Sequence, residues 1–241
     1  MSKAWETLDQ QMTPDGVLEL RRRDADDFLI LVAGRVLMNS RASASEEELG
    51  RWACEGLSPG SKVLVGGLGM GMTLRAVLDS LPAEGAVTVA ELHPVIVEWC
   101  RGPLAELTGS AAKDPRVTTK ISDVADCIRE ASEGRRGGSH TGEGVYDAIV
   151  LDLFEGPHAR THATRDPLYG REAIRRTWQA LSPGGVLGVW AEAPDRGFEA
   201  RLERQGFAVE TRRPGRGGLR HWIVLARRPR SSSGNASRAD R

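Results

Sequence analysis

The sequence carries no net charge, because 33 lysines and arginines stand against 33 aspartates and glutamates in 241 residues. With no field of either sign, composition argues against a nucleic-acid or anionic-membrane partner and for a small molecule. Cysteine is scarce: Cys54, Cys100 and Cys127 are scattered with no C-x-x-C pair. That excludes a disulfide framework or a zinc ribbon and reads as three reduced packing thiols in a cytoplasmic protein. No apolar run reaches membrane-spanning length, and the polar stretch 1–11 lacks the apolar centre of a signal peptide. A soluble, cytoplasmic protein without a membrane partner is therefore expected. The five histidines form no ligand spacing, and no metal is expected. His158 and His162 lie four apart in a loop with Gly, Pro and Thr, and read as solvated loop residues.

Glycine, by contrast, is concentrated. The stretch "VLVGGLGMG", residues 63–71, puts four glycines into nine residues directly after an apolar run. Gly67, Gly69 and Gly71 form a G-x-G-x-G array suited to a tight strand-to-helix turn with close ligand approach. Such short matches are common by chance, so the flanking pattern carries the weight.

Ahead of this turn, apolar clusters at 17–20, 28–32 and 36–38 alternate with charged or Gly-containing turns and predict a small antiparallel β unit. "SEEELGRWACEGL" follows, with Ser45 and Glu48 in capping-box spacing and Leu49, Trp52 and Ala53 on one helical face. Strands at 62–66, 87–91, 117–121 and 146–152 then alternate with helices at 72–81, 94–107 and 124–131. That alternation predicts an α/β fold with a parallel sheet covered on both faces. A helix at 171–181, a strand at 186–191, a helix at 198–205 ended by Gly206, and strands at 207–211 and 221–226 complete the pattern. The short Gly/Arg-rich link between the last two strands makes a hairpin, so the seven-stranded sheet should finish antiparallel. The expected organisation is a β appendage at 1–43, the main domain at 44–229 and a disordered tail at 230–241, with a second disordered loop at 132–144. Trp52, Trp99, Trp178, Trp190 and Trp222 fall within these elements or at their ends and read as packing groups.

In an open α/β sheet, ligands bind outside the carboxyl ends of the strands. The first core strand ends in the glycine array, the second in Glu91, the third is followed by Asp123, and the fourth ends in Asp152. Glu91 follows Gly67 by 24 residues, where an acid accepts hydrogen bonds from both hydroxyls of a ribose. Asp123 either accepts from an exocyclic adenine amine or caps the helix that starts beside it, and the two roles are compatible. Asp152 at the sheet rim is placed to orient an amine or take its proton, the alternative being a solvated Asp capping the turn. Glu155, three residues on, is a second candidate acid.

Taken together, "VLVGGLGMGMTLRAVL", "VTVAELHPVIVEW", "DPRVTTKISD", "YDAIVLDLFEGP" and "ALSPGGVL" resemble the spermidine synthase family of aminopropyltransferases. That family lies within the class I methyltransferase-like, Rossmann-like fold that binds S-adenosylmethionine (AdoMet). The likeness covers roughly residues 15–190 and includes the N-terminal β unit. It implies a nucleoside sulfonium donor, AdoMet or its decarboxylated form, with Gly67, Gly69 and Gly71 beneath it, Glu91 on the ribose, Asp123 on the adenine, and Asp152 and Glu155 at the reacting centre. A small amine-type acceptor of the polyamine class and a homodimer are implied as well.

The departures from the family pattern are specific. Met70 stands where the family carries the acid that grips the donor's amine, and a thioether cannot hold an ammonium. The family's Tyr-Gln pair is replaced within 43–47, and Glu155 stands for an aspartate. Three readings stay open on these residues: aminopropyl transfer to an amine, methyl transfer from AdoMet to a small acceptor, and nucleoside binding without chemistry.

Overall fold

The computed structural model describes residues 3–134, 146–154, 156–158, 161, 163, 165–214 and 221–230. It begins with an antiparallel four-stranded sheet in the order β1 (Glu6–Thr13), β2 (Gly16–Asp24), β3 (Asp27–Val32) and β4 (Arg35–Asn39). Three of these strands match the apolar clusters. The first, β1, has no such signal: six of its eight positions are polar, Leu8 and Met12 being the exceptions, and it is mostly exposed. Its strand geometry comes from pairing with β2, Glu6 opposite Arg22 through to Thr13 opposite Gly16.

The helix α1 (Ala44–Ala53) leads into the main sheet. It starts two residues earlier than the capping-box spacing implies. Ser43 is the N-cap and donates its hydroxyl to Glu47, while Ser45 is buried inside the first turn and engaged elsewhere. There follow β5 (Lys62–Gly66), α2 (Met72–Ser80), β6 (Ala86–Glu91), α3 (Pro94–Arg101), β7 (Val117–Ile121), α4 (Val124–Gly134) and β8 (Tyr146–Leu151). The helix expected over 94–107 stops at Arg101, because Gly102 and Pro103 break it, and two short 3-10 turns continue the path.

The chain closes with α5 (Arg171–Ala180), β9 (Leu181–Ala191), α6 (Arg196–Gln205), β10 (Ala208–Arg212) and β11 (Trp222–Arg227). Asp195 caps α6 by accepting from the Phe198 N–H, and Gly206 ends it at φ +106. The seven strands lie in the order β10-β11-β9-β8-β5-β6-β7. β11 runs antiparallel to both neighbours, and the remaining pairs are parallel. Residues 132–134, expected as disordered loop, complete α4 with Ser132 buried, while 135–145, 215–220 and the chain from 231 lie outside the described residues.

Alternation along the central strands builds two cores. Val63, Val65, Ala148 and Val150 face one apolar cluster, while Leu64, Ile149 and Leu151 face the other. This is the double burial that a parallel sheet requires. Leu18, Leu20, Phe28 and Ile30 of the N-terminal sheet join the first cluster, together with Leu49, Leu74 and Trp99. The appended sheet is thus packed onto the same face as α1, α2 and α3. Polar ties add to this: the Trp99 indole donates to Asp9 across 2.8 Å, and His93 Nε2 lies 3.5 Å from the Asp15 carboxylate.

Candidate active site

The chain runs outward from β5 through β6 to β7, then returns to place β8 on the other side of β5. The reversal of strand order therefore falls between β5 and β8, the point at whose carboxyl rim open α/β sheets bind their ligands. The glycine turn follows β5 and Asp152 follows β8, so the two are neighbours. Their backbones are tied directly, since the Asp152 N–H donates to the Gly66 carbonyl at 3.0 Å.

Gly67, Gly69 and Gly71 take φ values of +84, +51 and +84, conformations that side chains resist. The close approach at two of them is to the protein itself. A Cβ on Gly67 would run into the carbonyl oxygen of Asp152, and one on Gly69 into the Met38 sulfur from β4. Gly71 supplies the left-handed cap that opens α2, with ordinary van der Waals space beyond it. The Cys100 thiol donates to the Gly69 carbonyl at 3.2 Å. Burial, with the Glu91 charge second, pushes this thiol up to about 12. It is a structural support, as are the equally buried Cys54 and Cys127.

Glu91 is 7% exposed at the end of β6. Its two oxygens accept from the Leu68 and His93 backbone N–H groups, both at 2.9 Å. One carboxylate thereby joins the glycine turn to the start of α3, and each oxygen keeps a lone pair for a ligand. Asp123 is half-buried and accepts from the Ala125 N–H at 2.8 Å, the helix-capping role foreseen for it. Between these acids, Leu92 at 57% exposure and Ile121 at 53% present apolar side chains at adjacent strand ends.

Asp152 is half-buried, and its Oδ2 accepts from the Thr73 hydroxyl at 2.6 Å. Burial pushes the carboxyl up to about 7; the charge of Glu46 adds to the rise and the Thr73 hydrogen bond opposes it. A carboxyl held there exchanges protons at neutral pH. Thr73, 2% exposed in α2, also lies 3.2 Å from the Glu46 carbonyl oxygen. In this way α1 is drawn to the rim beside Asp152.

Spacing along the chain missed a second group here. Ser45 Oγ lies 2.6 Å from Glu46 Oε2, 2.9 Å from His221 Nδ1 and 3.2 Å from Trp190 Nε1. Trp190 packs on the core as expected and also donates to this hydroxyl. His221 arrives because β11 is antiparallel, so its beginning lies at the same rim where the parallel strands end. Met70 is 1% exposed, within the apolar cluster. Glu155 and His162 lie outside the described residues. His158 sits in a local turn, its N–H donating to the Thr161 hydroxyl. Among the described residues, no helix is long and apolar enough to cross a membrane.

No family model matches the chain. Over 139 residues it is 31% identical to the polyamine aminopropyltransferase of Mycobacterium tuberculosis (strain CDC 1551 / Oshkosh), covering 55% of this chain and 23% of that protein. The chain is similar to the polyamine aminopropyltransferases. It spans less than half the length of the curated relatives it matches, from 23% to 43%. Among solved structures, spermidine synthase from Thermotoga maritima superposes with a TM-score of 0.69 at 18% identity, over 92% of this chain and 72% of that one. Human methyltransferase-like protein 13 in complex with SAH gives a TM-score of 0.55 at 21% identity, over 81% and 84% of the two chains. This chain has the class I methyltransferase-like α/β fold, preceded by its N-terminal antiparallel sheet.

Proposed function

We propose that the protein is an alkyl transferase of the aminopropyltransferase type, moving a group from a nucleoside sulfonium donor to a small amine. The observation that carries this reading is Asp152. It stands at the reversal of strand order, against the glycine turn, with its carboxyl held at about 7. On this reading the nucleoside of decarboxylated AdoMet lies along the glycine turn, its ribose on Glu91 and its adenine between Leu92, Ile121 and Asp123.

The reaction is an in-line displacement. The amine nitrogen forms a bond to the carbon beside sulfur, the carbon–sulfur bond breaks with its electrons going to sulfur, and a neutral thioether nucleoside leaves. The new ammonium then gives up a proton, and ionised Asp152 is placed to orient the amine and accept it. The thioether leaving group needs no protonation, so positioning and exclusion of water are the main demands. The 31% identity to a named polyamine aminopropyltransferase supports the same reading.

Purified protein incubated with decarboxylated AdoMet and a panel of amines should release methylthioadenosine. If none forms while a control aminopropyltransferase is active, the reading is overturned. Methyl transfer is the second reading, favoured by the burial of Met70 where a donor-gripping acid is expected. Release of S-adenosylhomocysteine from AdoMet in the same assay, without methylthioadenosine, would establish it.

A further inference from the structure

Two half-buried acids, Glu46 and Asp152, lie on segments that meet at the Thr73 hydroxyl, 3.2 Å from the Glu46 carbonyl oxygen and 2.6 Å from Asp152 Oδ2. Neither forms an ion pair with a lysine, arginine or histidine among the described residues. They come from α1 and the end of β8, and Thr73 bridges the two segments by contacting Asp152 Oδ2 and the Glu46 carbonyl oxygen. Like charges left together at this rim raise each other's energy unless a cation joins them.

The Glu46 side chain is also aimed. Ser45 Oγ has one proton and two lone pairs. The Trp190 indole N–H can only donate, which takes one lone pair; the 2.6 Å contact to Glu46 Oε2 takes the proton. His221 Nδ1 must then donate to the remaining lone pair, which assigns the histidine a proton on Nδ1. The hydroxyl is saturated, and it holds Glu46 through Oε2. Oε1 of Glu46 accepts no hydrogen bond from the described residues.

We propose that Glu46 is a specificity-determining residue of the acceptor subsite: its carboxylate, aimed by Ser45, Trp190 and His221, and that of Asp152 take up a cationic amine between them. The inference rests on the amine-alkylating reading above. An ammonium offers three N–H donors, and Oε1 of Glu46 with the carboxylate of Asp152 supplies acceptors for them. The same pair repels an anionic acceptor.

The test uses the full-length protein with saturating decarboxylated AdoMet, and compares a linear four-carbon diamine with the monoamine of equal length. Methylthioadenosine release gives KM and kcat, and calorimetry gives methylthioadenosine affinity. Glu46→Gln should raise KM for the diamine at least tenfold, with a smaller change in kcat and in nucleoside affinity. It should also move the acidic limb of the pH profile to lower pH, because a like charge beside Asp152 is gone. Glu46→Asp should restore the pH profile in part, and Ser45→Ala should raise KM in the same direction by less.

An unchanged KM and pH profile in folded Glu46→Gln would overturn the proposal while leaving aminopropyl transfer standing. Should the wild-type protein release no methylthioadenosine with any amine, the parent reading fails, and the amine clamp with it.

Discussion

Thr73 donates its hydroxyl to Oδ2 of Asp152 across 2.6 Å while lying 3.2 Å from the Glu46 carbonyl oxygen. A hydroxyl has one proton, so the two contacts describe two states of the site. With Asp152 ionised, Thr73 donates to it; with Asp152 protonated, the carboxyl donates to Thr73 and the hydroxyl turns to Glu46. Both arrangements use contacts already within reach, which suits the proton exchange proposed for Asp152. Because the bond lowers the Asp152 value, Thr73→Val should move the acidic limb of the activity profile to higher pH, and Thr73→Ser should return it. A stopped assay of methylthioadenosine release across pH 5–9 would read this.

Activity itself should rise with pH through about 7, where Asp152 ionises. Asp152→Asn keeps the shape but removes the acceptor. Turnover is expected to fall by roughly 100-fold or more, the range for a lost general base, while methylthioadenosine affinity measured by calorimetry changes little.

The same carboxyl costs stability in the free protein. Its value is raised from 3.8 to about 7, so the native state holds the proton more tightly than the unfolded chain. Its stabilising contribution is complete below 3.8 and is lost as pH rises through about 7. Asp152→Asn should therefore unfold at a higher temperature than wild type at pH 8, by on the order of 2 kcal/mol or more. At pH 4 the difference should vanish, and thermal melts at the two pH values would show it.

Two glycines with similar backbone angles should respond differently to substitution. Gly34 has φ +76 with nothing within 4 Å of an added Cβ, so Gly34→Ala is expected to cost about 1 kcal/mol in backbone strain alone. Gly67 at φ +84 faces the Asp152 carbonyl oxygen at clashing distance. Gly67→Ala must displace the end of β8 and should cost several kcal/mol or lose nucleoside binding outright. Urea unfolding paired with calorimetry separates the two effects.

Leu92 is 57% exposed beside Glu91, so it adds little to the free protein. If a nucleoside base covers it, Leu92→Ala should weaken methylthioadenosine binding by roughly tenfold, the cost of about 1–2 kcal/mol of lost apolar burial. The melting temperature should stay within about 1 °C, as for other exposed substitutions.

Much of the fold could be read along the chain because its causes are local. Val63, Leu64 and Val65 alternate between two cores, Pro94 opens α3, and Gly206 closes α6. Other features needed a partner. β1 is a strand because β2 lies beside it, not because Glu6–Thr13 shows a buried face. The stop at Gly102 was written in the sequence, yet the apolar residues beyond it, Leu104 and Leu107, mimic a continuing helix.

The site divides in the same way. Gly67, Glu91, Asp123 and Asp152 each close or follow a strand, and parallel α/β topology brings all such ends to one rim; sequence by itself determined that much. Glu46, Ser45, Thr73 and His221 carry no such mark. Ser45 meets His221 across 176 positions and Thr73 meets Asp152 across 79. Those pairings were decided only by the tertiary structure. They depend on the return of β8 beside β5, on the packing of α1 against α2, and on β11 running backwards, so that its first residues reach the rim where the parallel strands end.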